Sequence, residues 1–146
     1  MFTVSDIAQK IKRHDEELVQ AITRVRNWTK EGLLKPSGKA NPGTGRARGY
    51  SKRALINAVL MQALVNTGIS ATRSAWLVGR VNALETFIDP RKSVLLFGQS
   101  TDTKEFFIRM DSAEKVHQMI IEAPPRDALT LIYLHRIFER LDEVGD

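Results

Sequence analysis

Three histidines, seventeen acids and no cysteine are the raw material for catalysis in this 146-residue chain. Their spacing argues against it. His14, His117 and His135 lie in unlike contexts with no His-Glu-x-x-His pair, and without a thiol neither a zinc-thiolate site nor a cysteine nucleophile can be built. Gly38-x-x-x-x-Gly43 is followed by Thr44-Gly45, where a phosphate-cradling loop needs Lys and then Ser or Thr. Gly43-x-Gly45 runs into Ala47-Arg48, where a dinucleotide loop needs a third glycine. The acid pairs Glu16-Glu17 and Asp142-Glu143 are adjacent in sequence, so on a helix they splay apart and make poor acid-base couples. The expectation is a non-enzyme with no cofactor and no metal.

Cations are the chemistry that remains. The chain has 22 Lys and Arg against 17 Asp and Glu, a net of +5, but residues 1–80 carry +9 and residues 81–146 carry −4. A basic excess on about 80 residues attracts a polyanion, and nucleic acid is the usual one because each neutralised phosphate releases condensed counterions. No apolar run approaches the roughly 20 residues that span a bilayer, and Met1 to Lys12 lacks a signal-peptide pattern. The expected location is cytoplasmic and nucleoid-associated, with no membrane partner.

The elements that position these cations can be read from caps and periodicity. Thr3-Val4-Ser5-Asp6 is a helix start with Ile7, Ala8 and Ile11 as its apolar face. After a polar break at Lys12 to Asp15, with Asp15 as cap, a second helix runs from residue 16 to 31 and stops at Gly32. Its Leu18, Ile22, Val25 and Thr29 share one stripe, while Gln20, Thr23, Arg24, Asn27, Lys30 and Glu31 lie opposite. Residues 37–49 hold four glycines and three cations and read as a basic loop. Ser51 caps a third helix to Asn66, so rich in apolar residues that it is either buried centrally or set at a dimer seam. Ser70 caps a fourth, reaching Ile88, whose apolar positions include Trp76, Val78, Val81 and Phe87. Asp89 to Lys92, where the charge changes sign, divides a domain 1–88 from a module 90–146. Beyond it, Ser93 to Phe97 and Lys104 to Met110 around a turn at Gly98 to Thr103 form a β-hairpin. Ser112 to Ile121 is a helix ended by Ala123-Pro124-Pro125. Residues 129–141 read as a strand into a short helix, although Leu131, Leu134, Phe138 and Leu141 would also suit one helix. The fold class expected is α+β, mainly α.

Helix, turn, polar-faced helix, basic glycine-rich loop and helix, in that order, outline a winged helix-turn-helix. In that arrangement a helix meets base edges in the major groove and a flexible loop lays cations along phosphates or the neighbouring minor groove. Arg24 on the outer face is the residue best suited to guanine O6 and N7, the alternative being a solvated arginine. Lys39, Arg46 and Arg48 of the loop, with Lys52 and Arg53 just after it, are the backbone contacts expected.

The chain resembles the mercury-resistance-regulator (MerR) family over residues 2–80. The resemblance rests on Phe2-Thr3-Val4-Ser5-Asp6-Ile7-Ala8, on Arg26-Asn27-Trp28-Thr29-Lys30-Glu31-Gly32-Leu33-Leu34-Lys35-Pro36, on Arg48-Gly49-Tyr50-Ser51 and on Thr67-Gly68-Ile69-Ser70. It implies that Arg26 and Asn27 touch DNA backbone, that Arg48 and Tyr50 anchor the wing on phosphate, and that Thr23 and Arg24 lie toward the bases. Trp28, in place of the family's tyrosine, either packs the wing against helix two or touches DNA. Between Ala8 and Gly32 the chain is about seven residues longer than the family's pattern. The long coiled coil and metal-binding cysteines of the effector-sensing members have no counterpart here.

The function expected is a sequence-specific regulator of transcription on double-stranded DNA, working as a homodimer. Helix 16–31 would enter the major groove, wing 37–50 would lie on the backbone, and RNA polymerase or another protein would be a partner for residues 90–146. Helix three, Trp76 and the C-terminal Leu134, Ile137, Phe138 and Leu141 are the candidates for a dimer seam or else one monomer's core. The rival within the same class is a phage-type DNA-processing accessory protein, a terminase small subunit or an excisionase. The rival from another class is a basic module that binds an acidic protein.

Overall fold

The structure is a computed structural model that describes residues 1–39, 43–99, 106–122 and 129–143. It is α+β and mainly helical, with six α-helices and a three-stranded antiparallel sheet among the described residues. The chain divides into two compact units, Met1–Val78 and Gly79–Asp146. The division falls inside a helix, ten residues before Asp89, where the composition changes.

The first unit opens with α1, Val4–Ile11, started by a reciprocal cap. The Thr3 N–H donates to Asp6 Oδ2 at 2.7 Å and the Asp6 N–H donates to Thr3 Oγ1 at 3.2 Å. The Thr3 N–H, together with the Thr3 hydroxyl that donates to Asp6 Oδ2 at 2.8 Å, holds the Asp6 carboxyl below its usual range. Helix α2 spans Leu18–Lys30, not 16–31. The expected cap at Asp15 gives way to Glu17, whose N–H donates to Gln20 Oε1 at 2.9 Å. The reason is that Glu16 is used elsewhere: its carboxylate accepts from the Arg13 N–H at 2.6 Å, which folds residues 13–16 into a turn. At the other end Gly32 takes φ 74°, and the Gly32 and Leu33 N–H groups donate back to Thr29 and Trp28 carbonyls at 3.1 and 2.8 Å. A residue with a Cβ would be strained in that left-handed conformation.

Ser51 caps α3, Lys52–Val65, through a 3.1 Å bond to the Ala54 N–H. Ala54, Leu55, Ala58, Leu60, Met61, Gln62 and Leu64 are all buried, which accounts for its lack of a single apolar stripe. Helix α4 is Ala71–Leu84, with Ser70 Oγ accepting from the Arg73 N–H at 3.2 Å. It stops short of the expected Ile88 in a turn, because Phe87 is 82% exposed and no burial rewards another helical turn. Trp76, expected on the apolar face, is half exposed.

The second unit places a 3-10 turn, Pro90–Lys92, before strand β1, Val94–Gln99. Strand β1 is central in the order β2-β1-β3, pairing antiparallel with β2, Phe106–Asp111, and with β3, Leu129–Ile132. Val94 to Phe97 are buried without alternation, as a strand covered on both faces requires. Val94 and Leu96 pack with Val116 of α5, Ala113–Glu122, while Phe97 on the opposite face meets the Phe106 ring at 6.4 Å. Helix α6, Leu134–Glu143, buries Leu134 and Phe138 and contacts β1 and the 3-10 turn. Leu134 and Phe138, candidates for a dimer seam, are therefore core residues of this unit. The strand-then-helix reading of residues 129–141 agrees with this arrangement. The expected turn beyond Gln99 and the stop at Ala123-Pro124-Pro125 lie outside the described residues.

Candidate nucleic-acid interface

Helix α2 is the element that carries most of the expected contact residues, and its sequence LVQAITRVRNWTK holds three cations and no acid. Ala21, Val25, Trp28 and Thr29 are buried and fix which way it faces. Gln20, Thr23, Arg26, Asn27 and Lys30 are exposed. At 100° per residue they fall within one arc of roughly 120°, opposite the buried stripe. The structure thus brings these five together on one face. Val19, 65% exposed, belongs to the same arc and was missed by sequence reasoning, which looked only for polar and charged side chains there. Plotting every position of α2 against the buried stripe, apolar ones included, would have found it.

Three of the expected contact residues are turned inward. Trp28 is 4% exposed, a position that suits packing and not contact with a ligand. Tyr50 is fully buried. Thr29 Oγ1 donates to the Val25 carbonyl at 2.9 Å, so the Tyr50 hydroxyl is the donor in its 2.7 Å bond to Thr29. That phenol is satisfied within the protein and ties the end of the basic loop to α2; it does not reach outward to phosphate.

Arg24 is the third. Its Nη1 donates to Glu16 Oε1 at 3.0 Å and to Gln62 Oε1 at 2.9 Å, and its Nη2 pairs with Glu16 Oε2. Gln62 in turn donates to Asn66 Oδ1 at 2.7 Å. The side chains of Arg24 and Glu16 are only 18% and 9% exposed. The Arg24 guanidinium, helped by the Arg13 N–H, holds the Glu16 carboxyl below its ordinary range against the opposing effect of burial. This network joins the α1–α2 turn, α2 and α3, so the fork that base readout would need is already occupied by the chain's own acceptors.

The basic loop leaves from a closed base. The Ser37 N–H donates to the Gly49 carbonyl at 2.8 Å, and Phe2 and Tyr50 exchange backbone bonds of 2.9 and 2.8 Å. A Cβ at Gly49 would come within 2.1 Å of Met1 Sδ, so a larger residue there requires the exposed Met1 side chain to swing aside. Beyond this base Lys39 and Arg46 are exposed and Arg48 is half-buried, while Lys52 and Arg53 are exposed at the start of α3.

Elsewhere the chemistry is thin. His117 and His135, far apart in sequence, flank the Tyr133 ring at centroid distances of 6.3 and 5.7 Å. Tyr133 Oη and His117 Nε2 lie 3.3 Å apart. Among the described residues no group of three or more His, Cys, Asp or Glu is placed to hold a metal ion. An open cavity of about 580 Å³ beside α5 is lined by charges of both signs, Arg109, Lys115, Glu114 and Glu122 among them. No helix among the described residues is long and apolar enough to cross a membrane. Compared with known proteins, the chain matches no family model and no curated sequence.

Proposed function

We propose that residues 1–78 bind double-stranded DNA in a sequence-specific way, as the reading part of a transcription regulator built on a winged helix-turn-helix. Helix α2 enters the major groove and the loop between Ser37 and Tyr50 lies along the phosphates. The observation that supports this most is the acid-free outer face of α2, where Gln20, Thr23, Arg26, Asn27 and Lys30 stand together on a helix fixed from behind. A face of that composition suits a polyanion whose grooves expose donors and acceptors. Arg26 and Lys30 supply phosphate contacts, with Lys39, Arg46, Arg48, Lys52 and Arg53 extending them from the loop and α3. Arg24 positions α2 through Glu16 and Gln62. The resemblance to the MerR family leads to the same assignment.

A single reader of this size gains little affinity alone, so the working form is a homodimer that reads two half-sites. Residues 79–146 serve assembly or a protein partner such as RNA polymerase. The test is selection of sheared genomic DNA by the full chain near physiological salt, about 150 mM, followed by sequencing. Enrichment at promoters with a repeated half-site is the expected result. Enrichment at one packaging or attachment locus would replace the regulator with a DNA-processing accessory protein. No retention on duplex DNA would overturn the reading.

A further inference from the structure

We infer that α2 recognises thymine methyl groups in the major groove through Val19 and Thr23, an inference that rests on the DNA-binding reading above. Val19 is 65% exposed in the first turn of α2. Valine is a weak helix former because its branched side chain is stiff beside the preceding turn, so neither propensity nor burial explains it there. One turn on, the exposed Thr23 donates its hydroxyl proton to the Val19 carbonyl at 2.9 Å. That proton is no longer available to a base edge, so Thr23 offers its γ-methyl beside an oxygen that can only accept.

The two residues form an apolar spot in the first two turns of the outward face, and Arg26 and Lys30 follow about 10 and 16 Å further along the helix from Val19. At 100° per residue, Arg26 and Lys30 lie within about 20° of Val19, and Asn27 lies about 40° beyond Thr23. The matching ligand therefore sets methyl groups beside an anionic backbone. Duplex DNA containing thymine has that form, since the thymine C5-methyl projects into the major groove between the two phosphate backbones. The N-terminal residues of a recognition helix are also the ones that meet base edges in helix-turn-helix proteins.

The experiment begins by selecting duplexes from a random pool with the full chain. The retained sequence is then resynthesised with uracil at successive thymine positions, which removes one methyl each time and leaves base pairing intact. For the native chain, affinity is expected to fall roughly four-fold at each contacted thymine, the effect of burying one methyl-sized group. Val19→Ala should reduce that ratio toward one at its own position. Thr23→Ser, which keeps the back-bonding hydroxyl and loses only the methyl, should do the same at the neighbouring position. Both sites are exposed, and an unchanged melting temperature verifies that the variants fold. Equal binding of thymine and uracil duplexes by the native chain, with sequence selection intact, would overturn this inference and leave the DNA-binding reading standing. Failure to retain any duplex would remove both.

Discussion

Arg91, Arg109, Lys115 and Arg136 of the second unit each stand beside a carboxylate of that same unit, in the pairs Arg91–Asp142, Arg109–Asp111, Lys115–Asp111 and Arg136–Glu139. Arg91 is further occupied by the Phe138 ring, 5.1 Å from its guanidinium carbon. Helix α2 of the first unit has three cations and not one acid, and only Arg24 is drawn into a buried pair with an acid from outside the helix. The first unit thus separates two uses of a cation within one helix: Arg24 is spent on holding the helix, while Arg26 and Lys30 on the opposite side are presented outward. The second unit's exposed pairs each contribute about 0–1 kcal/mol and neutralise the surface locally. Local neutralisation leaves little field beyond the pair, whereas a face whose charge is not matched within its own helix attracts an anionic partner.

Four measurements test that contrast. The largest effects test whether each unit has its own core. Trp28→Ala should cost about 3–5 kcal/mol and abolish DNA retention, since it hollows out the seat of α2. Leu96→Ala should cost about 2–5 kcal/mol in the second unit and leave retention on DNA intact below its melting temperature. Loss of retention in the Leu96 variant at temperatures where it is folded would end the division of labour between the units.

Next comes the buried pair. Glu16→Gln should lower stability at neutral pH by about 2 kcal/mol, less than for a wholly enclosed pair because some solvent reaches it. The folded-state carboxyl titrates below its unfolded value, so its contribution is present above the unfolded pKa and disappears as pH falls through the folded one. Denaturant titrations at several pH values should show the gap between native chain and variant closing in acid; a gap independent of pH would remove the ion pair from the account.

A smaller effect is expected from the outer cations. Arg26→Ala together with Lys30→Ala should leave stability unchanged and reduce the slope of log affinity against log salt by about two units. Lys115→Ala with Arg136→Ala should leave that slope as it is. Equal changes from both pairs would mean that net charge alone, and not the face of α2, attracts the DNA. The smallest effect belongs to Ser74, buried with no hydrogen-bond partner for its hydroxyl among the described residues. Ser74→Ala should be neutral or slightly stabilising in thermal melts, since it deletes an unsatisfied polar group.

Much of the architecture was legible because it is written locally. Thr3, Ser51 and Ser70 announce helix starts by chemistry that acts over three residues, and the change from helical to alternating periodicity announces the sheet. What escaped depends on distance along the chain. Arg24 is bonded to Glu16 eight residues earlier and to Gln62 thirty-eight residues later, and no local pattern distinguishes such an arginine from one that points outward. Tyr50 carries a hydroxyl that could meet phosphate or Thr29 equally well, and only the packing of the loop's end against α2 decides. The shift of the α2 start from residue 16 to Leu18 has a partly similar origin, because Glu16 is held both by the nearby Arg13 N–H and by Arg24. Val19 escaped for a different reason: an exposed apolar residue has no motif.

The base of the basic loop has a practical corollary for proteolysis. Phe2 and Tyr50 are joined by two backbone hydrogen bonds, Ser37 and Gly49 by another, and Tyr50 holds Thr29. Every one of these links spans the exposed stretch Gly43 to Ala47. A tryptic cut after Arg46 would therefore divide the polypeptide without parting it, leaving two fragments that stay associated through the strand-like bridges and the core around Trp28. Such a nicked protein would keep α2 seated while releasing the loop's two arms from one another, and so would separate the contribution of the helix to any binding from that of the loop.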